Sequence, residues 1–229
     1  MGIVVNDSQN LFMLQTRSNS YAFGIDNQGL VRHLYWGSRI NAMEDFEMPE
    51  LAEVSTNDPV YEITKEEFPV YGGLRYKEHC LKVTFADGTR DVAYEYVNYE
   101  IQKNEQCEEL VIILKDKHYA LVMELHYKIY EAYDLMERFV VLKNESTEVM
   151  QIEKLHSGQF HVPYEGLNFR NVHGHWGAEQ QKFVQKVDYG KIIFENRRGI
   201  SSHNHNPYFI LDQLSWSAWS IFHCRICGC

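Results

Sequence analysis

Apolar and polar positions alternate along most of this chain. Leu121, Met123, Leu125, Tyr127 and Ile129 recur at every second residue, with Glu124, His126 and Lys128 between them. That period predicts a half-buried strand of about nine residues. Residues 135–143, with Phe139 and Val141, read as its partner across a 130–134 connection, and 149–155 as a further strand after the turn at Asn144-Glu145-Ser146. Upstream, 11–16, 20–25 and 30–35 read as short strands, the last two separated by Asn27-Gln28-Gly29. Residues 80–85 and 91–102 read as the arms of a hairpin, because Asp87-Gly88 supplies the positive φ of a tight turn. Residues 110–114 form a compact apolar run, and 182–187, 191–195 and 208–211 complete the set. Strands at about ten-residue spacing with turn signals between them predict an all-β sandwich or barrel, not βαβ units. No sustained helical stripe, internal repeat or low-complexity segment interrupts the pattern.

Residues 38–73 break it. They are acidic, contain Pro49, Pro59 and Pro69, and hardly alternate. A loop of that length within a domain is either functional or a solvated excursion, and the pattern leaves both open.

Composition narrows the class. The 229 residues are 45% hydrophobic and 14% aromatic, enough for a large core and unlike a disordered chain. Fifteen Tyr and twelve Phe suit pleated surfaces. The formal net charge of −10 comes from acidic residues spread along the chain. It argues against nucleic acid as a partner, since phosphate binding needs clustered Lys and Arg. No run of eighteen apolar residues predicts a membrane helix. The start, Met-Gly-Ile-Val-Val-Asn-Asp, lacks the basic and apolar regions of a secretory signal, so a cytoplasmic location is expected. The odd cysteine count, with Cys224, Cys227 and Cys229 crowded at the end, does not suggest a disulfide framework.

Candidate chemistry gathers late in the chain. Six of the eleven His lie between His156 and His205. His173-x-His175 and His203-x-His205 could each share a strand face, yet no third ligand stands at a recognisable spacing, so no metal or other cofactor is expected. Cys224-x-x-Cys227 is half a zinc motif without a second half. Trp176, with Glu179, Arg197, Arg198 and His203, is the better candidate: an aromatic face stacks on a sugar ring, and planar polar groups bind vicinal hydroxyls. The competing reading is a Trp anchoring a strand beside surface Arg–Glu pairs. Glycoside hydrolysis would need two carboxylates flanking one bond. None of the 32 acidic residues stands in a catalytic context, and no nucleophile elbow, phosphate loop or dinucleotide fingerprint is present.

The ordered series Tyr35-Trp36-Gly37, Glu66-Glu67-Phe68-Pro69-Val70-Tyr71-Gly72 leading to Arg75, Glu137-Arg138, Lys143-Asn144-Glu145, Gly174 to Glu179, and Arg197 to Pro207 resembles the amino-terminal region of glycoside hydrolase family 36 α-galactosidases over residues 10–211. The resemblance implies a large antiparallel β-supersandwich preceding a catalytic (β/α)₈ barrel. It further implies retaining, metal-free hydrolysis of terminal α-galactosides such as melibiose and raffinose. The family's nucleophile is the Asp of a barrel Lys-Trp-Asp motif. None of the four Trp here is followed by Asp, so no catalytic residue carries over. What carries over is a supporting role: building a homo-oligomer, docking the barrel, and lending an acidic loop residue beyond Tyr-Trp-Gly to substrate. Glu53 is the best match for that residue, with Glu50 and Asp58 as rivals. The substrate-binding set expected is therefore Glu53, Trp176, Glu179, Arg198 and His203.

Residues 212–229 depart from the family pattern. They read as an atypical tail, from a shifted frame or truncated gene, that leaves the last strand missing and an edge unpaired. The alternatives to a non-catalytic α-galactosidase domain are a free-standing carbohydrate-binding module and a sandwich-fold sugar epimerase acting through His and Glu.

Overall fold

The computed structural model describes residues 2–44, 46–48, 64–73, 75–162, 166–194, 204–213 and 219–223. The chain is all-β and its strand ladders are antiparallel, the sandwich class that the spacing predicts. It divides into two compact units, residues 1–161 and 162–229. Among the described residues, no helix is long and apolar enough to cross a membrane.

The first unit holds β1 (Ile3–Asn6), β2 (Leu11–Gln15), β3 (Asn19–Ile25) and β4 (Val31–Ser38), paired in that order. A second four-stranded sheet runs β6 (Tyr94–Lys103), β7 (Glu108–Asp116), β8 (Leu121–Tyr130) and β9 (Leu135–Asn144). β5 (Leu81–Thr84) pairs with β10 (Gln151–Leu155). The inward sides of the two larger sheets share one core. Phe12, Leu14, Tyr21 and Phe23 meet Leu110, Ile112, Leu114, Met123, Leu125 and Tyr127 there, with the Phe23 and Tyr127 rings stacked 4.9 Å apart. β8 shows why strict alternation identified it: Met123, Leu125, Tyr127 and Ile129 go inward, and Glu124, His126 and Lys128 stay on the half-exposed side.

β2 is buried on both faces. Its outer side, Leu11 and Met13, is covered by Ile40, Met43, Phe46 and Met48. Those residues lie in the stretch whose sequence pattern left a solvated excursion open. In its described parts it packs, because hydrophobic side chains cover a sheet face that water would otherwise wet.

Three sequence expectations are corrected. The turn at Asp87-Gly88 forms, with the Gly88 amide donating to the Phe85 carbonyl and the Phe85 amide to the Thr89 carbonyl, both at 2.9 Å, but the arms 80–85 and 91–102 do not pair as strands. β5 joins β10 and β6 joins β7. A turn signal fixes a chain reversal, not the partner of each arm. Residues 191–194 form no strand; Phe194 instead stacks on Phe169 at 4.9 Å. The tail contributes β15 (Trp219–His223), paired along β14 (Tyr208–Gln213), so β14 does not carry the open edge that was expected.

The second unit is one sheet in the order β12, β11, β14, β15, formed by β11 (Leu167–His175), β12 (Ala178–Lys186), β14 and β15. The short β13 (Asn204–His205) continues the β14 side of β11 beyond Arg170. Phe169, Phe183, Phe194 and Phe209 form its aromatic cluster.

Candidate functional site

β11 and β12 make a hairpin whose loop is Trp176-Gly177, between the paired His175 and Ala178. Gly177 sits at φ 78°, where a side chain would be strained. Close behind it, a Cβ on Gly174 would lie 2.6 Å from the Ala178 carbonyl oxygen and 2.9 Å from Glu179 Cα. The two glycines let the strands approach and turn within two residues, beside a register shift between His173 and His175. Trp176 is thereby held out at the tip, 92% exposed. It anchors no strand. The Gly177 amide donates to Glu179 Oε1 at 2.9 Å and holds that carboxyl below the usual carboxylate range. The tip thus presents an open indole face with an ionised acceptor tied to its base.

Of the other expected site residues, Glu53, Arg198 and His203 lie outside the described residues, as do Glu50, Asp58 and Arg197. The expected His203/His205 pair cannot be traced, because His203 lies outside the described residues. His173 and His205 face each other across β11 and β13 with ring centroids 5.8 Å apart. Burial, then the neighbouring His173, pushes His205 below the usual imidazole range. Its Nδ1 lies 3.3 Å from Asn171 Oδ1, and Asn171 Nδ2 donates to the carbonyls of Asn206 and Tyr208. This network ties the incoming strands to β11. Among the described residues, no three His, Cys, Asp or Glu side chains are grouped to hold a metal.

The first unit also buries a charged group to which the sequence assigns no role. Glu67 is fully buried. Tyr21 Oη donates to both its oxygens, at 2.6 and 2.7 Å, and Tyr127 Oη donates to Oε2 at 3.1 Å. His33 Nδ1 lies 2.9 Å from Oε1. An ionised carboxylate only accepts, so that nitrogen carries the proton. Arg138 closes the group: Nη1 donates to Oε2 and Nη2 to the Glu67 carbonyl, both at 2.7 Å. Its guanidinium also lies over the Tyr127 ring. Burial alone would raise the Glu67 carboxyl, but Arg138 and the His33 and Tyr21 hydrogen bonds outweigh it and hold the group below its usual range. A sealed carboxylate with every lone pair engaged cannot serve substrate. It ties together β3, β4, β8, β9 and the 66–70 stretch. The available signal was two adjacent acids running into the apolar Phe68-Pro69-Val70.

The model of the glycosyl hydrolase family 36 N-terminal domain matches residues 29–217. Probable alpha-galactosidase G of Aspergillus terreus is 26% identical over 87% of this chain and 29% of its own length. The bifunctional alpha-galactosidase/sucrose kinase AgaSK of Mediterraneibacter gnavus is 24% identical over 92% of this chain and 25% of its own. The solved family 36 α-galactosidase AgaB of Geobacillus stearothermophilus has the same fold over 94% of this chain and 32% of that protein, with a TM-score of 0.80 at 24% identity. The α-galactosidase of Lactobacillus brevis superposes over 93% of this chain with a TM-score of 0.81 at 22% identity. The chain therefore spans between a quarter and a third of the length of these relatives. The match takes in β4 to β14 and well over half of the chain, and the chain belongs to the family of glycosyl hydrolase family 36 N-terminal domains.

Proposed function

We propose that the chain acts as the non-catalytic amino-terminal domain of a retaining α-galactosidase, supporting an oligomer and shaping an active site whose acid and nucleophile belong to a barrel domain. The observation that carries this reading is the match of residues 29–217 to the N-terminal domain model, in relatives about three to four times longer that are named α-galactosidases. A solved variant of AgaA from Geobacillus stearothermophilus is in complex with raffinose, which supports terminal α-galactosides as the substrate class. The Trp176 tip, with its exposed indole and Glu179, is the described surface best suited to reach sugar; Glu53, Arg198 and His203 complete the proposed substrate-binding set. A cytoplasmic location is supported by the free, buried thiols of Cys80 and Cys107.

The test is hydrolysis of a chromogenic α-galactoside by the purified chain, alone and mixed with a polypeptide carrying a family 36 barrel. The expected result is no turnover alone and a gain over the barrel polypeptide by itself when the two are mixed. Turnover by the chain alone that survives stringent purification would overturn the proposal.

A second reading has one observation in its favour. An indole 92% exposed beside an ionised carboxylate is also what a free-standing sugar-binding module displays. Calorimetric binding of galactose or raffinose to the isolated chain, lost in Trp176→Ala, would favour that reading.

A further inference from the structure

In the first unit, Glu66 is paired with Arg75 and Lys77, Asp26 is paired with Arg32, and Tyr94 is acted on by Glu66, Arg75 and Arg32. Arg75 Nε lies 3.2 Å from both Glu66 oxygens, and Lys77 Nζ lies 2.9 Å from Oε1. Asp26 Oδ1 accepts from the Gln28 and Leu30 amides at 2.9 Å, and its Oδ2 accepts from Arg32 Nε at 2.6 Å. Both carboxylates are therefore engaged. Arg32 remains undersupplied. Its side chain is 3% exposed, and neither Nη1 nor Nη2 has a hydrogen-bond partner. Arg138, the other buried arginine of this unit, has acceptors on both terminal nitrogens.

Tyr94 sharpens the point. Its hydroxyl is buried without a hydrogen-bond partner, and Glu66, Arg75 and Arg32 all act on it electrostatically. Arg32 and Arg75 likewise act on Lys77, whose ammonium is pushed below its usual range, first by burial. Arg32 Nη1 and Nη2 and the Tyr94 hydroxyl are thus buried polar groups left without a partner. A buried donor without an acceptor is costly, and a buried guanidinium more so. The planar fork of an arginine fits two oxygens of one small anion.

We propose that this cluster is an anion site that takes a carboxylate group on the Arg32 fork, with Tyr94 Oη as a further donor and Arg75 and Lys77, its more exposed members, on the solvent side. The carboxylate comes either from a free small ion or from an acidic side chain of another polypeptide. The fork and hydroxyl recognise the same group in both cases.

The experiment is thermal unfolding of the full chain in sodium formate and in N-acetyl-aspartic acid amide. Arg32→Met and Tyr94→Phe are compared with the parent salt for salt, so that general ionic effects cancel. A ligand bound only by the folded state raises Tm with its concentration. The expected result is a saturable rise in the parent, a half-saturation several-fold higher in Tyr94→Phe, and loss of the rise in Arg32→Met. Tyr94→Phe removes one oxygen and keeps the ring, so it reports on the site even where Arg32→Met does not fold. A rise with formate only identifies a free ion; a rise with both compounds identifies a side-chain carboxylate as an acceptable occupant. Absence of a saturable rise in the parent, or an equal rise in the parent and Tyr94→Phe, would overturn the site.

Discussion

Glu66 and Glu67 are adjacent in sequence, both buried, and served by different cations: Arg75 and Lys77 for one, Arg138 and His33 for the other. Sequence reasoning assigns acids to solvent by default, because Glu is almost never fully buried unless paired. The partner that decides Glu67 lies 71 positions away, and no local pattern announces it. Removing one member of a buried pair strands the other charge, so Arg138→Met is expected to lower unfolding free energy by about 3–5 kcal/mol, read by urea denaturation. The pH dependence has a definite sign. Glu67 titrates lower folded than unfolded, where an ordinary Glu sits at about 4.3. Its contribution is therefore complete above that value and is lost as pH falls through the folded value. Glu67→Gln is expected to be less stable than the parent near neutrality, with the gap closing as pH drops below about 4. A gap that stays constant down to acid unfolding would mean that the carboxylate charge is not what stabilises the cluster.

At the scale of elements, legibility followed alternation. β8 was readable because polar and apolar residues switch strictly along it. β9, its neighbour, followed from the apolar positions after a short connection, which the structure fills with a single 3-10 turn at Glu131–Tyr133. β11 escaped notice because Asn168, Arg170, Asn171 and His173 place polar groups on both its faces, and the segment looked like chemistry before it looked like a strand. Of the hairpin it forms, the 182–187 stretch of β12 was legible as a strand, while the tip with Gly174, Trp176 and Gly177 was legible as candidate chemistry. That tip allows a two-sided test. Trp176→Ala removes a side chain that packs on nothing, so stability should change by no more than about 0.5 kcal/mol, while any role in sugar contact is lost. Gly177→Ala keeps the indole but forces a Cβ into a left-handed conformation, with a cost of about 1–2 kcal/mol. If Trp176→Ala proved as destabilising as Gly177→Ala in thermal unfolding, the indole would be a packing residue and the exposed-platform reading would fail.

Across the whole molecule, apolar burial is uneven. Among the described residues other than Gln213 and β15, every buried hydrophobic side chain except Leu167 belongs to residues 1–161. Of the second unit's described residues other than Gln213 and β15, Leu167, Asn171 and Asp212 are the buried ones, and two of those are polar. Its sheet is nevertheless well hydrogen-bonded, with β11 paired on both sides. Backbone pairing alone contributes little net stability, since water competes for the same groups, whereas burial of apolar surface excludes water. A stretch below about 70–80 residues rarely gathers enough core to stand alone. The two units should therefore open with different free energies. In native-state hydrogen exchange on the full chain, amides of β2, β3, β7 and β8 are expected to exchange only through near-global unfolding. Those of β11, β12 and β14 should exchange through a sub-global opening, faster by about two orders of magnitude. Engagement of the second unit by a partner would slow its exchange toward that of the first, which makes the same measurement a reporter of assembly with a barrel-bearing polypeptide. Uniform protection across both units in the isolated chain would show that the sheet of residues 167–223 is stabilised by more than its described packing provides.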